Sequence, residues 1–309
     1  MNTFTKIKVV GVGGSGSNAI SRMKKCKIKG VELIAVNTDA QDLVKARADL
    51  KLRIGRKTTE GLGAGMNPEI GRKSALENRQ EISDILKGAN MVFITYGAGG
   101  GTGTGAGPVV AEIAKELGIL TLAVVTKPFS FEGQLRMKVA EGGIKKLKEK
   151  VDTLISISND KLLSVLDQSI PLANAFWVCD DVLRQAVQGI SDLILLPGII
   201  NVDFADIRAI MASAGSALFG VGKAEGEGRA GKAALAAINS PLLDISIKGA
   251  KGVLFNVSGG KDISLSEINE VASIITQEVN PEAKIIFGAV QDERLKNGEI
   301  KVTVIATGF

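Results

Sequence analysis

Gly97-Ala98-Gly99-Gly100-Gly101-Thr102-Gly103-Thr104-Gly105 stands between an apolar run at 91–96 and a helical pattern expected to start around Pro108. Six glycines in nine positions clear away side chains, so consecutive backbone N–H groups can approach an anion, and the Thr102 and Thr104 hydroxyls add donors. Placed between a strand and a helix, such a run is a cradle rather than a flexible linker. A similar arrangement occurs earlier, where the apolar run 8–12 enters Gly11-Val12-Gly13-Gly14-Ser15-Gly16-Ser17-Asn18, with a helix expected from near Ala19. N–H groups and a helix N-terminus meet there as well. By itself the first loop fits G-x-G-x-x-G, and Asp39, at the end of the next strand, imitates the ribose-binding acid of a dinucleotide site. The second cradle points instead to a polyphosphate. A doubly wound dehydrogenase has no need of it, and no G-x-x-x-x-G-K-[ST] motif occurs.

Composition narrows the chemistry further. At 309 residues and 45% hydrophobic content, the chain suits two domains. It contains no uninterrupted apolar run of about 18 residues, and residues 1–8 lack the apolar core of a signal peptide, so a cytoplasmic protein without direct membrane insertion is expected. Cys26 and Cys179 are far apart and outside any metal-ligand spacing, hence reduced and structural. Histidine is absent, which excludes Ser-His-Asp and Cys-His catalysis, histidine metal ligands and an imidazole base. Hydrolysis, if any, rests on carboxylates, amides and phosphate chemistry. The net charge of +5 comes from interspersed lysines, as at 24, 25, 27 and 29 or 145, 146, 148 and 150, a pattern of solvated helix faces. With one Trp and one Tyr there are no base-stacking platforms, and no nucleic-acid partner is expected.

In the first half, strands expected at 8–12, 31–37, 91–96, 119–126 and 153–158 alternate with amphipathic stretches, which predicts a parallel sheet with helical crossovers. Pro171 opens a long helical pattern, 172 to about 195, closed by Pro197-Gly198. The second half reads as a smaller α+β domain with a mixed or antiparallel sheet. Its helices are expected near 206–212, 229–238 and 265–278, and its strands at 251–257, 283–290 and 299–306, the last two joined through Asn297-Gly298. No repeat, coiled coil or low-complexity tract occurs, and no disordered tail is expected after Phe309.

The run Gly99-Gly100-Gly101-Thr102-Gly103-Thr104-Gly105 resembles the signature of the tubulin/FtsZ family. The resemblance to the FtsZ branch extends over essentially the whole chain through four further loops in the family's order. These are Asn37-Thr38-Asp39-Ala40-Gln41, Gly61-Leu62-Gly63-Ala64-Gly65-Met66-Asn67-Pro68, Pro128-Phe129-Ser130-Phe131-Glu132-Gly133 and Asn201-Val202-Asp203-Phe204-Ala205-Asp206. The resemblance implies an α/β tubulin/FtsZ fold divided into a GTP-binding domain at 1–170, a connecting helix at 171–196 and an activating, polymerising domain at 197–309. It implies GTP and GDP as ligands, with Mg²⁺ held through phosphates and waters and no protein residue assigned as a metal ligand. Gly13, Gly14, Ser15, Ala64, Gly65, Gly99, Gly100, Gly101, Thr102 and Gly103 are the expected phosphate side. Asn18, Glu132, Arg136, Asn159, Phe176 and Asp180 are expected around the guanosine. A carboxylate at 180 can accept from guanine N1–H and the 2-amino group, a pattern adenine does not offer. Phe176 and Asp180 are four apart on one helix face, one to stack and one to read the edge, although Phe176 alone could be core and Glu132/Arg136 merely a surface pair.

Asn201, Asp203 and Asp206 resemble the family's catalytic loop, whose carboxylates position the attacking water; one of the two aspartates is also expected to cap the helix that follows. A helix continuous from Asp180 to Leu193 would carry that loop roughly 20 Å from the base-reading end. A general base must reach about 3 Å, so the loop is expected to act on a neighbour's nucleotide. The partner is then a second copy in a head-to-tail filament, the polymer of bacterial cell division. Ser15 stands where a glycine is common in the family, Tyr96 and Ala98 alter the approach to the signature, Gly107 replaces a usual alanine, and Trp177 and Cys179 are unusual. The family's C-terminal linker and peptide, which engage membrane adaptors, are missing after Phe309. A trimmed chain is the expectation, and adaptor partners are not read from this sequence.

Overall fold

The computed structural model describes residues 5–28, 30–163, 171–196, 198–240, 246–292 and 294–309. They fall into two compact units, Met1–Gln188 and Gly189–Phe309. The first alternates strand and helix as the period of its apolar residues demands. In chain order it contains β1 (Ile7–Val12), α1 (Gly13–Lys25), β2 (Val31–Asn37), α2 (Ala40–Lys45), β3 (Leu50–Arg53), α3 (Arg56–Thr59), α4 (Pro68–Glu77) and α5 (Arg79–Leu86). There follow β4 (Met91–Gly97), α6 (Gly101–Glu116), β5 (Leu120–Lys127), α7 (Gln134–Lys148), β6 (Thr153–Ser158), α8 (Asn159–Leu163) and α9 (Leu172–Leu195), the last of which runs on past the unit boundary at Gln188. The strands pair in the order β3-β2-β1-β4-β5-β6, every pair parallel. Residues 91–96 of β4 are all buried, as expected of a strand covered on both faces.

The order reverses at β1, which hydrogen-bonds β2 on one side and β4 on the other. Such a reversal opens a crevice at the carboxyl ends of the two central strands, the usual ligand position in open α/β sheets. Both glycine-rich segments emerge there, after Val12 and after Gly97. β3 is only four residues long, and although Leu50-Lys51-Leu52-Arg53 alternates, so short a run was not foreseen as a strand in the sequence. The connector α9 is uninterrupted over 24 residues. Of the stop proposed for it, Pro197 lies outside the described residues, as do Met1 to Phe4 and Lys29.

The second unit contains β7 (Gly198–Ile200), α10 (Phe204–Met211), β8 (Gly215–Glu225), α11 (Arg229–Ile238), β9 (Gly252–Gly259), α12 (Leu265–Gln277), β10 (Lys284–Gln291) and β11 (Glu299–Thr307). β8–β11, β11–β9 and β10–β7 are antiparallel and β9–β10 is parallel, a mixed sheet. The Asn297-Gly298 segment does join β10 to β11, but the two are not paired: β11 returns between β8 and β9. β8 is a second strand that the pattern conceals, because glycines interrupt it. A Cβ on Gly220 or Gly222 would run into the carbonyls of Ala237 and Ala233, so these glycines let the alanine-rich α11 lie directly on the strand. α12 begins with a capping box in which Ser264 Oγ accepts from Glu267 N–H (3.3 Å) and Glu267 accepts from Ser264 N–H (2.9 Å). Among the described residues no helix is long and apolar enough to cross a membrane.

Candidate active site

Both helices at the crevice start earlier than their sequences suggest. α1 begins at Gly13, not near Ala19, and α6 at Gly101, not near Pro108, which sits inside the helix. Glycine's poor helix propensity hides such starts, while the strand that ends immediately before and the helix that packs behind impose them. Neither helix has a side-chain cap, so the first-turn N–H groups of both are free to meet a ligand. The two first turns touch: a Cβ on Gly13, whose φ is +73°, would lie 3.0 Å from Gly103 N.

The glycines of the signature divide by direction. Added Cβ atoms on Gly101 and Gly105 would strike α4 and the loop before it, at Ala64, Asn67 and Pro68, and those on Gly103 and Gly107 would strike Tyr96 of β4. These four make room for helix packing. Gly99 holds a φ of +96° beside Arg136, and the Cβ direction of Gly100 is open. The threonine hydroxyls also turn inward, contrary to their expected role as ligand donors. Thr102 Oγ1 bonds Thr38 Oγ1 (2.6 Å), and Thr104 Oγ1 accepts from Gly99 N–H (2.9 Å). They pin the loop. Ser15 has a similar role, because its Oγ accepts from Gly97 N–H (2.7 Å) and ties the two cradles together.

The resulting cleft holds about 570 Å³ and takes its walls from Gly13, Gly14, Ser15, Ala64 and Gly65 on one side and residues 100–103 on the other. Lys45 and Arg136 bring positive charge. Its two carboxylates are committed elsewhere: Asp39 caps α2 by accepting from Gln41 and Asp42 N–H, and Asp42 accepts from Asn37 Nδ2 (2.7 Å). Burial and the neighbouring Asp39 raise the pKa of Asp42.

The residues expected around a guanosine also belong to this unit. Asn18 is exposed on α1. Glu132 and Arg136 form an ion pair (3.1 Å) across Gly133, whose φ of +101° separates a 3-10 turn from α7, so they do not share one helix. Asp180 accepts from Arg22 Nε (2.8 Å), and the Arg22 guanidinium lies over Trp177 (5.7 Å to the ring centroid). Burial raises the Asp180 pKa, and Arg22 opposes that rise. Neither Arg22 nor its contact with the unusual Trp177 was singled out in the sequence; i, i+4 logic does not extend across 158 residues of chain. Phe176 is 40% exposed and meets buried Phe129 edge-on (5.4 Å), and Phe129 stacks on Phe131. Burial, with Asp180 nearby, pushes the Cys179 thiol up to about 12, so it is an inert packing group. Arg136 Nε and Asn159 Oδ1 are buried without a protein partner. Arg136 lines the cleft, and an orphaned polar atom there fits a polar ligand such as a nucleoside phosphate.

Asn201, Asp203 and Asp206 lie in the second unit, and all three are exposed. Asn201 Oδ1 accepts from Gly198 N–H (2.8 Å). Asp203 holds the N-cap position of α10 with extended backbone, yet its side chain makes no capping bond, and Asp206 occupies the first turn. The anticipated capping by one of these carboxylates is therefore absent; instead Asp206 N–H donates to the backbone carbonyl of Asp203 (3.0 Å).

A parallel sheet with a switch-point crevice, two uncapped helix starts and a glycine-lined cleft defines an α/β nucleotide-phosphate-binding protein. Comparison with known proteins makes the class specific. The description "Tubulin/FtsZ family, GTPase domain" matches residues 6–167, and "FtsZ family, C-terminal domain" matches residues 215–309. A solved FtsZ dimer from M. jannaschii is 48% identical, with a TM-score of 0.95 over 100% of this chain and 89% of that one. CetZ2 from Haloferax volcanii, solved as a GTPγS-bound protofilament, shares the fold at 21% identity and a TM-score of 0.83, covering 98% of this chain and 94% of that one. The chain belongs to the tubulin/FtsZ family and is a GTPase of the FtsZ branch, a ligand class of GTP and GDP included.

Proposed function

We propose that this GTPase polymerises head-to-tail into the filament of cell division, in the cytoplasm at the division site, and that each GTP is hydrolysed between two copies. The observation that carries the reading is the state of the carboxylates. Asp39 and Asp42, the two in the cleft, are held in local hydrogen bonds, whereas Asp203 and Asp206 are exposed and belong to the other unit. A water-positioning carboxylate must come within hydrogen-bond reach of the γ-phosphate. Supplied by a second copy, Asp203 and Asp206 would complete the site, with Asn201 shaping the loop. The M. jannaschii FtsZ dimer and the CetZ2 protofilament support self-association as the mode of assembly.

In this reading residues 1–170 bind the nucleotide, 171–196 connect, and 197–309 carry the activating face. Backbone N–H groups of residues 13–15 and 100–103 hold the phosphates, with Arg136 and Lys45 offsetting their charge. Mg²⁺, when bound, neutralises the β- and γ-phosphates through phosphate oxygens and water. Asn18, Glu132, Asn159 and Phe176 surround the nucleoside, and Asp180 reads guanine. Phosphate release measured across protein concentrations tests the reading. Turnover per molecule is expected to rise above a threshold concentration, and constant specific activity in clearly monomeric samples would refute it.

A further inference from the structure

Tyr96 is the last residue but one of the central strand β4, just before the glycine cradle, and is completely buried. Its ring fills a groove on α6 made by two glycines one turn apart. A Cβ on Gly103 would lie 3.1 Å from Tyr96 Cβ and Cδ2, and a Cβ on Gly107 would lie 2.9 Å from Cζ and closer still to Cε1. The opposite flank of the same helix is fixed as tightly, since Gly105 and Gly101 leave no room for a side chain against Pro68, Asn67 and Ala64. The N-terminal turn of α6 is therefore clamped between α4 and the tyrosine ring. The phenol oxygen gains nothing from this placement, for it is buried without a hydrogen-bond partner, and burial raises its pKa. The hydroxyl is a liability; the ring's volume is the useful part.

We propose that Tyr96 is a positioning residue for the GTPase: its ring, seated on Gly103 and Gly107, sets the depth of α6 and so the placement of the N–H groups at 101–103 that receive the phosphates. Close-packed interiors transmit such a displacement rather than absorbing it. The inference rests on reading residues 100–103 as the phosphate cradle. Tyr96 and Gly107 then act as one steric unit in which volume gained on the strand is matched by volume given up on the helix.

The test is a double-mutant cycle read by GTP titration calorimetry on protein kept monomeric, alongside thermal unfolding. Tyr96→Ala opens a void and Gly107→Ala intrudes on the ring, and each is expected to weaken GTP binding by about tenfold. In Tyr96→Ala/Gly107→Ala the new methyl enters the void, and affinity should return to within about threefold of the parent, a strong departure from additivity. Tyr96→Phe should retain the parent affinity while melting at a higher temperature, because only the unpaired hydroxyl is removed. A structural role alone would lower melting temperatures without changing the affinity of the folded protein. That outcome, or additive losses in the double variant, overturns the proposal. Should the alanine variants fail to fold, Tyr96→Leu decides by the same titration: weakened binding supports positioning and unchanged binding removes it. Gly100→Trp serves as the control for the cradle itself. If it binds GTP normally, the cradle reading fails. If it loses binding while the Tyr96 variants do not, only the present inference fails.

Discussion

Asp180 illustrates what a single side chain can be asked to do at this site. It is largely buried, its partner Arg22 reaches it at 2.8 Å, and burial still raises its pKa above the ordinary aspartate value. A raised carboxyl pKa means that the folded protein holds the proton more tightly than the unfolded chain. The stabilising contribution is complete below the unfolded pKa and is lost as pH rises through the folded one. In the proposed reading the ionised form is the one that would accept from guanine, so GTP affinity is expected to fall on acidification from neutral pH, sooner than an ordinary aspartate would allow. Asp180→Asn, which mimics the protonated state, should bind weakly with that slope removed; calorimetry over pH checks it, and a slope identical to the parent would exclude Asp180. Asp180→Ala should weaken GTP binding by about 1.5–3 kcal/mol and relax discrimination against other nucleotides. The sequence revealed the i, i+4 placement of Phe176 and Asp180, but not Arg22, because contacts between remote helices leave no periodic trace.

Elements carry a different lesson. The parallel strands at 31–37 and 153–158 and the helix at 229–238 were legible to the residue, since short β-branched, apolar-rich runs and an alanine-rich run each favour one period. The starts of α1 and α6 and the whole of β8 were not, and glycine is the common cause. In each place it is selected for close approach rather than for local preference, which only the packed neighbour reveals. The direction of each missing Cβ then predicts variants. Gly100 has ordinary extended backbone and open space, so Gly100→Trp should fold normally and lose GTP. Gly103→Trp would drive into Tyr96 and should be unfolded or strongly destabilised, as thermal denaturation will show. Gly222→Val should destabilise the second unit by at least about 1–3 kcal/mol, because α11 cannot retreat from β8 without losing its alanine contacts. An unchanged melting temperature would contradict that packing.

At the scale of the whole molecule, the nucleotide cleft belongs to the first unit and Asp203 and Asp206 to the second. The fold class and the family were legible from the glycine loops and strand spacing. The state of the cleft's carboxylates was not, since Asp39 and Asp42 are also acids in an apparently suitable loop, and only their hydrogen bonds show them to be occupied. Association that places one copy's exposed loop on the next copy's nucleotide would make hydrolysis a property of the filament. Mixing two differently disabled variants tests this most directly. Asp206→Ala keeps its cleft and lacks a water-positioning carboxylate; Gly100→Trp lacks a usable cleft and keeps Asp203 and Asp206. Phosphate release from the mixture, titrated with excess Gly100→Trp, should exceed the sum of the separate samples. Release that stays at the summed background at every ratio, while sedimentation shows both variants in the polymer, would contradict a site shared between copies.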